Sequence, residues 1–95
     1  MPYLFEWSPT KAAENLARHG VTFDEATDVF GDPLSLNMPD PDHSAQEDRY
    51  LVLGLSRRDR MLVVSYAMRG MRTRIISARL AGRSERRRYE EEPSR

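Results

Sequence analysis

The 95-residue chain contains no cysteine, which removes disulfide staples, zinc ribbons and thiol nucleophiles together and points to a reducing compartment. Long hydrophobic runs are also missing. The longest hold about four residues, as in Met61 to Val64, against the ~20 needed to cross a bilayer, so no membrane span is expected. Met1 to Trp7 carry neither the basic nor the apolar stretch that opens a signal peptide, and the expected location is the cytoplasm. The five glycines are scattered singly, so no phosphate loop, dinucleotide fingerprint or nucleophile elbow is present. A length of 95 residues excludes two domains, and residues 1–95 are expected to form one, with 93–95 frayed.

Lysine is nearly absent as well. Fourteen of the fifteen basic residues are arginine, whose planar fork matches phosphate and carboxylate. The net charge of zero conceals a partition: residues 1–48 carry −8 and residues 49–95 carry +8. Either the halves neutralise each other across the fold, or the second presents an arginine-lined surface to nucleic acid.

Tyr3-Leu4-Phe5-Glu6-Trp7 alternates and is aromatic, the pattern of a short strand. Ser8-Pro9 marks a helix start, and the helix is predicted to end at Arg18 or His19 before Gly20. Helical spacing gathers Ala12, Ala13, Leu16 and Ala17 on a predicted core side, with Lys11, Asn15 and Arg18 opposite. A second helix is predicted over Thr22–Phe30, with Thr22 and Glu25 at capping-box spacing and Phe23, Ala26, Val29 and Phe30 facing the core. Pro33 ends it, Leu34–Leu36 reads as an edge strand, and Met38–Ser44 is a proline-broken polar loop. From Arg49 the period changes to two. Tyr50–Leu55, Met61–Met68 and Arg72–Arg79 are predicted to form a meander, followed by a helix over Gly82–Glu92. The predicted fold class is α+β, an antiparallel sheet meander packed with two N-terminal helices and one C-terminal helix.

Strict alternation puts Arg72 and Arg74 on one face of their strand and Arg79 on the other. Arginines on a half-buried strand need an anion, either an acid of the first half such as Glu6 or Asp32, or the phosphate of RNA. In the second case a guanidinium neutralises charge that builds up in the transition state. His43, with Asp42 beside it and Glu47 four residues on, is a candidate base or acid for a ribose hydroxyl. A backbone contact for His43 and a capping role for Glu47 with Ser44 are the structural alternatives. Asp40, Asp42, His43 and Glu47 lack strict ligand spacing, and no metal or other cofactor is expected. His19 is placed to cap the first helix, and Trp7, Phe23 and Phe30 are expected in the core. Tyr89 follows three adjacent arginines and either stacks on a base, donates a proton or packs on the sheet. The resulting assignment has Arg74 and Arg79 as phosphate clamps and His43 or Glu47 as catalytic base. Lys11, Arg49 and Arg72 are RNA-binding cations, and Tyr89 is a stacking residue. A binding module without catalysis, its arginine face holding a partner protein or nucleic acid, is the alternative. A metal-dependent phosphoesterase built on residues 40–47 ranks below both.

Several short motifs occur in order: Phe5-Glu6-Trp7 with Lys11 and Asn15, His19-Gly20-Val21-Thr22-Phe23, Val29-Phe30-Gly31-Asp32-Pro33, Asp40-Pro41-Asp42-His43-Ser44 with Glu47 and Arg49, Arg74-Ile75-Ile76-Ser77-Ala78-Arg79, and Glu85-Arg86-Arg87-Arg88-Tyr89. From Phe5 to about Glu91 the chain resembles the BrnT family of toxins. The resemblance implies a RelE-like fold and a type II toxin that acts as a ribonuclease, arresting translation and growth. It implies a BrnA-type ribbon-helix-helix antitoxin as partner, with operator DNA bound only through the antitoxin complex. Gly82 departs from the family pattern, which places a threonine-like cap ahead of the last helix.

Overall fold

Ser8 and Gly20 bound the first helix of the computed structural model, which describes residues 3–40 and 48–91. Helix α1 (Pro9–His19) begins where the Ser8 hydroxyl accepts the Lys11 amide at 3.3 Å, and ends where Gly20 takes φ 69° and donates to the Leu16 carbonyl at 2.9 Å. Strand β1 (Leu4–Glu6) precedes it. Helix α2 (Phe23–Asp28) is capped by the Thr22 hydroxyl, which accepts the Glu25 amide at 3.0 Å, and a 3-10 turn over Val29–Gly31 completes the segment predicted as one helix. Strands β2 (Leu36–Pro39), β3 (Arg49–Leu55), β4 (Met61–Arg69) and β5 (Arg72–Leu80) follow, then helix α3 (Arg83–Glu91). The edge strand starts two residues later than expected because Asp32 folds Pro33-Leu34 into a turn. Its carboxylate accepts the Leu34 amide at 2.9 Å and its carbonyl accepts the Ser35 amide at 3.0 Å.

The strands lie in the order β1-β5-β4-β3-β2. The β3-β4-β5 meander is antiparallel as predicted, and β1 joins its edge in parallel, pairing Leu4, Phe5 and Glu6 with Arg72, Thr73 and Arg74. The architecture is α+β. On one face Val52, Leu62, Val64, Tyr66 and Ile75 pack with α2 residues such as Phe23 and Ala26; on the other, Leu53, Met61 and Val63 lie with Tyr89 of α3. Each large aliphatic side chain fully buried this way contributes about 1.5–3 kcal/mol. Among the described residues no helix is long and apolar enough to cross a membrane.

Helix α1 is rotated from its predicted orientation. Ala13, Leu16 and Ala17 are exposed, Leu16 to 48%, whereas Asn15 from the expected outer stripe is buried. The cause lies on β5, which runs past the end of β1 and leaves Ala78 with no strand beside it on that edge. Asn15 supplies the missing partner: its amide nitrogen donates to the Ala78 carbonyl at 2.8 Å and the Val21 carbonyl at 3.0 Å, and its Oδ1 accepts the Ala78 amide at 3.0 Å. Each buried backbone group left unpaired costs about 1–3 kcal/mol, and three of them outweigh the burial of one leucine.

Glu25 does not close the predicted capping box. Its buried carboxylate crosses to the turn between β3 and β4, accepting from Ser56 Oγ at 2.8 Å and Arg60 Nε at 2.9 Å. The Arg60 hydrogen bond, opposed by burial, holds Glu25 below the usual carboxylate range. Arg60 also donates to the Gly20 carbonyl at 3.1 Å, so this one network ties the end of α1, helix α2 and the sheet together.

Candidate active site

Ile76 decides which way the arginines of β5 point. Ser65 pairs with Ser77 while Tyr66 pairs with Ile75, so Ile76 is the extra residue of a β-bulge. One inserted residue inverts the alternation beyond it. Arg79, expected on the face opposite Arg72 and Arg74, therefore shares theirs, and its register partner Val63 belongs to the cluster under α3.

Register across the sheet assembles the rest. Arg49 pairs with Ala67, and Ala67 with Arg74, so two arginines flank a buried methyl on one face. Two residues on, Arg69 stands opposite Arg72, joined by the two-residue link Gly70-Met71 with φ 61° at Gly70. Four arginines thus occupy one end of the sheet face whose other end is the apolar cluster of Tyr89. Lys11 reaches toward them from the first turn of α1, and Lys11, Arg49, Arg69 and Arg74 line a cavity of about 220 Å³ with Ile75 and Ile76.

The charge of this cluster is only partly answered from within. The parallel register of β1 sets Glu6 beside Arg74, whose guanidinium donates at 3.1 Å, while Arg72 lies 3.9 Å from the same carboxylate. One acid serves two arginines. No hydrogen bond or ion pair among the described residues engages the Lys11 ammonium or the Arg69 guanidinium. Arg69 was not among the residues singled out from sequence. A signal was available, since a two-residue hairpin link forces residues 69 and 72 to face each other.

Arg79 stands apart from this cavity. Its guanidinium makes a two-pronged bond to Glu85, at 2.9 and 2.7 Å, and the Glu85 Oε1 atom also accepts the Gly82 amide at 2.7 Å. Glu85 at the third position of α3 reaches back to the cap residue, so Gly82 needs no hydroxyl to start the helix. The Arg79 bond holds the Glu85 carboxyl below its usual range, and the same bond raises Arg79.

Tyr89 does not offer its ring for stacking. It is 6% exposed, sits with Leu53, Met61 and Val63, and its hydroxyl donates to Asp32 at 2.7 Å. The Asp32 Oδ2 atom accepts the Leu55 amide at 2.8 Å as well, so this acid serves the fold and partners neither Arg74 nor Arg79. Tyr89 is the one apolar residue of α3, and an otherwise charged helix attaches to a sheet through whatever apolar group it has. His43 and Glu47 lie outside the described residues, as does Asp42. The residues bracketing that segment are joined: the Asp40 amide donates to the Arg49 carbonyl at 3.1 Å. Among the described residues, no three His, Asp or Glu side chains form a group able to hold a metal ion.

The α+β frame thus gathers on one sheet face more arginines than the acids that bond them among the described residues, a charge distribution suited to a polyanion. The chain belongs to the BrnT family, whose model, described as ribonuclease toxin, BrnT, of type II toxin-antitoxin system, matches residues 7–85. It is therefore a member of a family of ribonuclease toxins that work with an antitoxin partner. The fold is similar to that of the ribonuclease toxin BrnT of Brucella abortus, known from a 1.1 Å crystal structure, with a TM-score of 0.68 at 20% identity over 86% of this chain and 100% of that one. No curated protein matches the sequence.

Proposed function

We propose that the arginine face binds RNA and cleaves it by transesterification without a metal ion, arresting translation and growth until a BrnA-type ribbon-helix-helix antitoxin covers it. The observation that carries this reading is the convergence of Lys11, Arg49, Arg69 and Arg74 on one cavity, with no anion among the described residues bonded to Lys11 or Arg69. A ribose 2′-hydroxyl attacks the adjacent phosphorus, the bond to the 5′-oxygen breaks as that oxygen takes a proton from water or a general acid, and the products are a 2′,3′-cyclic phosphate and a 5′-hydroxyl. Arg49 and Arg74, supported by Lys11 and Arg69, hold the phosphate and stabilise the extra charge of the phosphorane. Arg79 is a clamp for a neighbouring phosphate once that phosphate replaces Glu85, and Arg72 adds to the attraction. His43 or Glu47 takes the hydroxyl proton; the Asp40–Arg49 backbone bond, which joins the residues on either side of their segment at an arginine of the cluster, supports this assignment. Operator DNA is bound only through the antitoxin complex.

The test is to induce the chain alone, map new RNA ends by primer extension, and repeat cleavage in vitro in the presence of chelator. Ends should persist in chelator and fall by roughly 10²- to 10³-fold in Arg74→Ala, the range for loss of one transition-state donor. Growth arrest without new ends would replace the enzyme with a binding module.

A further inference from the structure

A second cavity, of about 140 Å³, lies against the first. It is lined by Lys11, Glu14, Asn15, Arg18 and His19 of α1 together with Ile76. Lys11 and Ile76 line both cavities, so this second groove adjoins the first across Ile76, the bulge residue of β5.

Asn15 is accounted for by its bonds to Val21 and Ala78, but the charged side chains along this extension have no hydrogen bond or ion pair among the described residues. The sequence places His19 to cap α1, but the Leu16 carbonyl takes the Gly20 amide, and the chain just past the helix is held by Arg60 on the Gly20 carbonyl and Asn15 on the Val21 carbonyl. No hydrogen bond or ion pair among the described residues engages the side chains of Arg18 or His19. Glu14 is the one acid in the lining and offsets one of the two permanent cations, Lys11 and Arg18. The groove is therefore weakly cationic, next to a strongly cationic cavity. Lys11 and Arg18 are separated by about 10 Å along the helix axis, enough for an extended strand to advance past the first cavity.

We infer that this groove is a flanking subsite for the RNA backbone. A strand held by the arginine face continues over Lys11 at the junction, with Arg18 on a phosphate beyond the cleavage site and His19 bonding that phosphate or its ribose. The inference rests on the RNA reading of the arginine face and adds a direction of travel and a minimum substrate length. A short oligonucleotide fills only the first cavity. A longer one gains affinity from α1.

Fluorescence anisotropy with uncleavable 2′-O-methyl RNA, a trinucleotide and a hexanucleotide, tests it at several salt concentrations. The wild-type protein should bind the hexanucleotide more tightly and with the steeper salt dependence. In Arg18→Ala the hexanucleotide-to-trinucleotide affinity ratio should shrink by about fivefold, the upper end for an exposed charge contact, and the logarithmic salt slope for the hexanucleotide should lose about 0.7. Arg18→Lys should restore most of the ratio, and His19→Ala should reduce it. An unchanged ratio and slope in Arg18→Ala would overturn the subsite, and so would equal binding of both lengths by the wild type, while leaving the arginine face intact. Failure of both oligonucleotides to bind the wild type would overturn the RNA reading and this inference together.

Discussion

Asn15 takes the place of a strand beside Ala78, accepting its amide at 3.0 Å and donating to its carbonyl at 2.8 Å. The contact joins residues 63 positions apart and holds the helix that carries Lys11, Arg18 and His19 against the bulged edge of β5. Asn15→Ala leaves three buried backbone groups short of a partner and should lower stability by about 3 kcal/mol. Asn15→Asp keeps the acceptor but loses both donations, and should also destabilise. Urea denaturation checks this: a midpoint no lower than that of an exposed control such as Ala17→Ser would show that water replaces the amide at little cost.

Arg69 and Arg74 differ in their internal partners, and their variants should differ accordingly. Arg69→Ala should weaken RNA binding and reduce its salt slope by about 0.7 with stability unchanged, because no described residue bonds its guanidinium. Arg74→Ala should reduce cleavage further and also deprive Glu6 of its 3.1 Å partner. Measured side by side, thermal unfolding and RNA titration separate the two; equal loss of stability in both variants would show that the Arg69 guanidinium has a stabilising role beyond its contacts with the described residues.

Glu85 occupies the fork of Arg79 that a phosphate would take. Glu85→Gln removes the competing charge and should raise RNA affinity by about two- to fivefold, the scale of an exposed ion pair, while weakening the start of α3. A titration in which this variant binds RNA less tightly than the wild type would show that Arg79 needs Glu85 to point at the substrate.

The stability of the fold should decline on the acid side through Glu25. Its folded carboxyl is held below the usual range, so the unfolded chain binds the proton more readily. The resulting stabilisation is complete above the ordinary carboxylate range and is lost as pH falls through the depressed folded value. Glu25→Gln should cost about 2–3 kcal/mol near neutrality, less than a fully buried pair because Arg60 is partly exposed, and should flatten the acid limb. A variant whose stability falls with acid as steeply as the wild type would assign that limb to other carboxylates.

Packing at Gly54 gives a further check. A Cβ there would lie 2.8 Å from Val29 Cγ1 and 3.0 Å from Asp32 Oδ2. Gly54→Ala should therefore destabilise by about 1–3 kcal/mol; a thermal midpoint equal to the wild type's would mean that the 3-10 turn shifts freely away from β3.

Much of the frame is legible along the chain because its signals are local. Ser8, Pro9 and Gly20 delimit α1 through groups within a turn of one another, Thr22 starts α2 in the same way, and alternation with short links specifies the meander. The cationic character of Lys11, Arg49, Arg72 and Arg74 is equally plain from sequence. Tyr89 was harder to place because three neighbouring arginines mark its surroundings as surface, although a helix with one apolar residue has one way to dock. The burial of Asn15 in place of Leu16 could not be read from helical spacing, since spacing ranks side chains by hydrophobicity and takes no account of a distant strand edge in need of hydrogen bonds.

By itself the sequence determined the limits of α1 and the start of α2, the α+β class, the uneven distribution of charge and the motifs that resemble BrnT toxins. Tertiary structure alone decided which cations meet. Ile76 becomes a bulge because the pairing of β4 with β5 slips by one residue, and that slip moves Arg79 to the face of Arg72 and Arg74. Arg49 and Arg74, 25 positions apart in the chain, come together through two strand registers, and Lys11 joins them because Asn15 pins α1 to Ala78. Each of these outcomes depends on backbone groups that find partners only when distant segments meet, whereas a cap or a turn is settled by atoms a few residues away.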